Sequence, residues 1–212
     1  MLLFLLACPA PESPAPEPEP APAVAPAPEP PPAPARSAPE GPLWVSTEAD
    51  LYRIESGGVG TRIEGIPGPI KGWTLGPSGT AWLFSDGALM KVEGDAAVEV
   101  SRPPDDAVLV YLSDLAVASD GTVWGAGPKA LASFDGAAWS AVPEAALGSN
   151  ATMLSQVIIA PDGRVHARSD RAVISQDGEG WAVTDLQAQV AGLTFLDDCL
   201  LYTSDAADEH SW

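Results

Sequence analysis

Two histidines, two cysteines and ten basic residues are all that a chain of 212 residues contains of those types, and each scarcity closes off a class of function. One histidine, His210, falls close to the C-terminus, so His166 stands alone in the body of the chain. With His166 read as a packing residue, a zinc site or a histidine-dependent triad would have to draw its histidine from sequence beyond this chain. Ten Lys and Arg against 29 Asp and Glu leave a net charge of −19, which excludes a basic face for nucleic acid or anionic lipid. Long apolar runs are missing as well. The N-terminal one, MLLFLLA, stops after seven residues, too short to span a bilayer. No cofactor motif is present, nor a calcium loop of alternating Asp around a central Gly. Helical periodicity of useful length is also absent, so the core has to be built from strands.

What the chain does have is a repeat. The stretch ASDGTVWGAGPKALASFDGAAW, residues 118–139, recurs in degraded form on both sides of itself. Turn glycines Gly79, Gly121 and Gly163 step by 42 residues, and a second set, Gly94, Gly136 and Gly178, keeps the same step. The apolar positions Leu75, Val117, Ile159 and Leu89, Leu131, Val173 follow in register. A fainter copy carrying Trp44, Leu51 and Ile54 precedes them at an offset of 38. Each unit contains four short β-prone runs bounded by glycine clusters. Four strands in about 40 to 45 residues is the signature of a propeller blade. The expected fold is therefore all-β, a partial β-propeller of four-stranded blades over residues 43–198, following a disordered Pro-rich N-terminal segment. Strands in a blade run up and down, so the glycine turns after the first and third strands share one face as scaffold. The remaining connections, residues 85–87, 102–113, around Lys129 and 143–152, vary in length and composition on the other face. Variable loops on a rigid scaffold are where binding resides.

Asp120, Gly121, Val123, Trp124, Leu131, Phe134, Asp135, Gly136 and Trp139 together resemble the two-component-regulator propeller repeat. The next unit departs from it, with His166 for the first Trp and Gln176 for the Phe. The resemblance covers residues 43–198 and implies a propeller. Such repeats serve as periplasmic sensor domains and as domains of surface proteins, so it implies little about ligand.

The ends of the chain carry their own signals. LLAC, ending at Cys8, resembles a bacterial lipobox, which implies cleavage before Cys8 and lipidation of its thiol. Residues 1–7 then read as a truncated signal peptide whose start lies upstream. Residues 9–42 hold 15 of the 23 prolines and cannot bury a core. In polyproline II conformation, at about 3.1 Å per residue, they form a stalk of roughly 100 Å. At the other end CLLYTSDAADE, from Cys199, resembles a translated frame of a transposase-type sequencing adapter. Cys199 also stands where the repeat demands a turn glycine. Residues 199–212 are accordingly expected to be extraneous, with the propeller incomplete before them. The chain expressed alone should then aggregate or remain partly unfolded through its open sheet edges. With Cys8 lipidated and Cys199 in that tail, no disulfide remains.

Few side chains suggest a site. His166 occupies the slot of Trp82 and Trp124 and reads as a packing substitution. The recurring Trp44, Trp82, Trp124, Trp139 and Trp181 read as contacts between blades. The pairs Asp105–Asp106 and Asp197–Asp198 are adjacent acids that point apart, and the Asp-Gly pairs are turns. Lys129 and Arg171, 42 apart, are equivalent cations on the variable face and the candidate contacts for an anionic ligand group. The leading expectation is a lipid-anchored, extracytoplasmic module of the bacterial envelope that binds a protein or small molecule and catalyses nothing. The alternatives are a propeller lyase or hydrolase whose active site lies largely in sequence missing from this chain, and a structural part of an envelope assembly.

Overall fold

The computed structural model describes residues 41–104, 111–128, 130–148, 153–186, 189–196 and 199–204. The expected signal peptide, Cys8, stalk, Lys129 and both paired acids lie outside these residues. Within them the 42-residue step becomes one antiparallel sheet per repeat. The first full sheet runs β4 (Ile70–Leu75), β5 (Ala81–Ser85), β6 (Ala88–Glu93) and β7 (Ala96–Ser101), in that spatial order. The second comprises β8 (Asp114–Val117), β9 (Val123–Gly127), β10 (Ala130–Phe134) and β11 (Trp139–Ala141). The third comprises β12 (Gln156–Ile159), β13 (Val165–Arg168), β14 (Ala172–Asp177) and β15 (Gly180–Asp185). One helical turn, α1 (Glu144–Leu147), precedes the third sheet.

The faint N-terminal copy forms three strands, β1 (Leu43–Ser46), β2 (Leu51–Ile54) and β3 (Gly60–Arg62). Its register shows which strand is missing. Trp44 pairs across from Arg53 as Trp82 pairs across from Lys91, so β1 is the counterpart of β5, a second strand. No described strand pairs with the other edge of β1. At the far end β16 (Val190–Leu196) pairs with β17 (Cys199–Ser204). The suspect tail thus enters the sheet, as an apolar β-prone segment does at an open strand edge.

The inner sheets are apolar on both faces because each lies between two neighbours. In β5, Ala81 and Leu83 pack with Leu51 and Ile63 of the first sheet, while Phe84 packs with Leu112, Leu115 and Val123 of the next. Further along, Leu131 and Ala126 meet Leu154, Val157 and Ile174. The first strands β4, β8, β12 and β16 lie side by side along the inner edge. Here β4 approaches β8 so closely that a Cβ on Gly72 would sit 2.6 Å from the Ser113 carbonyl oxygen. This architecture is a β-propeller array, as the period predicts.

Candidate functional site

The two kinds of connection separate as expected. After the first strands, Gly79, Gly121 and Gly163 adopt φ of 77°, 91° and 87° in tight turns. The aspartates beside them are spent locally. Asp120 accepts from the Thr122 N–H at 2.9 Å, Asp135 from Ala137 and Ala138 at 2.8 Å, and Asp162 from Arg164 at 3.0 Å. Those N–H donors hold all three carboxyls below the usual carboxylate range. These acids are turn formers, as the Asp-Gly pairs predict.

The Trp positions pack both within and between sheets. Arg53 lies 5.9 Å from the Trp44 ring and Lys91 6.0 Å from Trp82, each across a strand pair. Trp124 meets Trp181 edge to face with centroids 5.8 Å apart. In the same slot His166 is buried, with Phe195 edge to face at 5.5 Å and Nδ1 bonded to the Ser175 hydroxyl at 2.8 Å. Its Nε2 is buried without a hydrogen-bond partner. Burial lowers the His166 pKa, Arg164 adds to that, and Asp162 opposes it. The side chain behaves as a packing element.

In β8 and β12 the residue opening the strand binds the next sheet. Asp114 accepts the Val157 N–H at 2.8 Å. Its counterpart Gln156 grips the equivalent Leu193 with both ends, accepting from N–H at 2.8 Å and donating to C=O at 3.0 Å. Arg168 donates to the Gln156 oxygen and to the Val190 carbonyl. Burial raises the Asp114 pKa, while N–H donors from Val157 and Leu115 and the charge of Arg168 act against that shift. A cleft of about 390 Å³ runs along these strands past Trp73, Thr74 and Ile158, but its polar groups serve to join sheets.

The variable face holds a different kind of cleft. A groove of about 440 Å³ is walled by Pro69, Pro103 and Tyr111, with Lys71, Asp86 and Arg102 as its charged residues. Asp86 and Gly87 form a tight turn at φ 47° and 72°, a geometry that Asp and Gly tolerate. Arg102 braces it, donating to the Asp86 carbonyl at 2.7 Å and pairing with Glu99 at 3.1 Å. The Ser85 hydroxyl closes the opposite wall on the Gly68 carbonyl at 2.9 Å. Tyr111 is 64% exposed. Among the described residues neither the Lys71 ammonium nor the Asp86 carboxylate has a hydrogen-bond or ion-pair partner.

Arg171 sits exposed in the turn between β13 and β14, its carbonyl accepting from Leu186 at 2.7 Å. Its side chain too is unpaired among the described residues, while Lys129 lies outside them. The groove takes Gly87 at the equivalent turn position and draws its charges from elsewhere. Sequence reading missed Lys71 and Arg102. Their signal was that they break the repeat, for Lys71 has Ser113 and Ser155 as counterparts and Arg102 has Glu144 and Leu186. No group of three or more His, Cys, Asp or Glu able to hold a metal occurs among the described residues.

Fold and face together define an all-β propeller module. No family model matches the chain, and no curated protein matches it. Solved structures similar to it are propellers of low identity. Virginiamycin B lyase from Staphylococcus aureus superposes with a TM-score of 0.65 at 13% identity, over 80% of this chain and 61% of the lyase. The extracellular domain of a putative one-component system from Bacteroides thetaiotaomicron gives 0.61 at 11%, over 77% and 25%. YCF48 bound to a D1 peptide gives 0.60 at 17%, over 79% and 59%. The chain thus spans about three fifths of the lyase and about a quarter of the sensor domain. These likenesses establish the fold, including its kinship in shape with extracellular domains of the regulator type.

Proposed function

We propose that the chain is a membrane-tethered, extracytoplasmic propeller that captures a ligand on its variable face and performs no chemistry on it. The observation that carries this reading is the groove at Lys71, Asp86 and Tyr111. There Lys71 and Asp86 have no charge partner among the described residues, Tyr111 is exposed, and Arg102 braces the turn that carries Asp86. A concave surface with a few convergent polar groups and an aromatic ring is what ligand recognition requires. The tether rests on Cys8 and the Pro-rich segment behind it. YCF48, of the same fold, was solved with a peptide in place, which favours a peptide-like ligand.

The test is a thermal-shift panel of amino acids, short peptides, sugars and nucleotides, run on the chain and on a Lys71→Glu, Tyr111→Ala variant. A ligand that stabilises only the parent chain and is recovered intact supports the reading. Stabilisation indifferent to the variant, or chemical conversion of the ligand, refutes it. The tether is tested separately by mass analysis of the N-terminal peptide from bacterial membranes. That peptide should begin at a diacylglyceryl Cys8, and an unmodified soluble chain refutes the anchor.

A further inference from the structure

Local charge narrows the ligand class, on the footing of the binding function just proposed. Around the groove the basic residues divide sharply. Arg102 is neutralised by Glu99 and immobilised by the Asp86 carbonyl, so it serves as wall. Elsewhere in the first two sheets Arg53, Arg62 and Lys91 all have acidic partners. Lys71 has none among the described residues, although the chain carries 29 acids and ten basic residues. The first strand of the sheet presents it at the groove, opposite a turn whose own carboxylate, Asp86, is equally unpaired.

Among the described residues the groove offers one unpaired cation and one unpaired anion, with Pro69, Pro103 and the Tyr111 ring beside them. A simple anion satisfies only half of that arrangement and meets repulsion from Asp86. A neutral apolar ligand satisfies neither charge and strips water from both at a cost. A molecule bearing a carboxylate and an ammonium, with an apolar or aromatic side chain, complements all three features. The volume of about 440 Å³ falls in the ~300–1,000 Å³ range of small-ligand sites. We infer that this groove binds a short zwitterionic peptide, with Lys71 taking the C-terminal carboxylate, Asp86 the N-terminal ammonium, and Tyr111 an apolar side chain.

The assignment is tested by calorimetric titration of the whole chain with three probes: glycyl-phenylalanine, its C-terminal amide and its N-acetyl derivative. Each blocked form should bind about tenfold more weakly than the free dipeptide, the effect of one charge-assisted contact at a partly exposed site. Lys71→Met should abolish the distinction between acid and amide, and Asp86→Asn that between amine and acetyl. Both side chains are exposed, and Asn tolerates the positive φ at position 86, so neither change disturbs the fold. Equal binding of the three probes, no binding of any, or discrimination that survives both substitutions overturns the assignment. A different ligand from the panel, lost in the groove variant, overturns this inference while leaving the module function standing.

Discussion

Asp114 is where the blade-to-blade joint can be weighed. Its carboxylate accepts the N–H of Val157, a residue only 2% exposed on the neighbouring inner strand. Asp114→Ala leaves that buried donor without a partner, which costs about 1–3 kcal/mol. Asp114→Asn keeps an oxygen in place and removes the charge, whose burial is the largest influence on this group. At pH 7 the Asn variant should therefore match or exceed the parent chain while the Ala variant falls well below it. In urea, with a slope of about 2 kcal/mol per molar for a domain of this size, the Ala midpoint moves down by about 0.5–1.5 M. Dilute samples followed by tryptophan fluorescence keep association out of the measurement. The pH dependence supplies a second check. Because the folded-state pKa is raised, the native chain holds this proton more tightly than the unfolded one. The associated stability is full below the ordinary carboxylate pKa and is lost as pH rises through the folded value. The advantage of Asn over Asp should thus shrink as pH falls and vanish once the carboxyl is protonated. An Ala variant as stable as the parent, or an Asn variant as damaged as Ala at pH 7, refutes the joint.

His166 titrates in the opposite sense. Its pKa is lowered by burial first and by Arg164 second, against Asp162, so the stability of the neutral ring is full above the ordinary histidine pKa of about 6.5 and is lost as pH falls through the folded value. The urea midpoint should drop between pH 7 and pH 5, and His166→Phe, which suits the edge-to-face contact with Phe195, should remove that part of the drop; an unchanged pH dependence in the variant counts against it. The first sheet predicts association. Leu43 and Val45 are 62% and 39% exposed, whereas Ala81 and Leu83 at the same register are fully buried, and no described strand pairs with the outer edge of β1. Val45→Lys should lower the mean sedimenting mass at micromolar concentration, and a parent chain that sediments as a monomer refutes this.

The period of 42 and the turn glycines made the strands, their order within each sheet and the burial of both faces legible in advance. Repetition is a direct record of what every sheet needs from its neighbours: apolar residues on two faces, a positive φ at two turns, an aromatic at one slot. Even the exception was legible, for His166 packs where Trp124 does. Other features required the folded chain. The identity of β1 as a second strand emerged only from its pairing, since a faint three-strand copy does not announce which strand it omits. The grips of Asp114 on Val157 and Gln156 on Leu193 join residues in different sheets, and the spacing of neither pair falls on the repeat step. The groove is the extreme case. Pro69 and Lys71, Asp86, and Arg102 with Tyr111 come from three separate connections or strand ends, and Lys71 and Arg102 stand where the repeat is broken. A periodic sequence records the contacts that recur. Which charges remain unpaired depends on loop paths and side-chain directions that occur once, and those the tertiary structure alone decides.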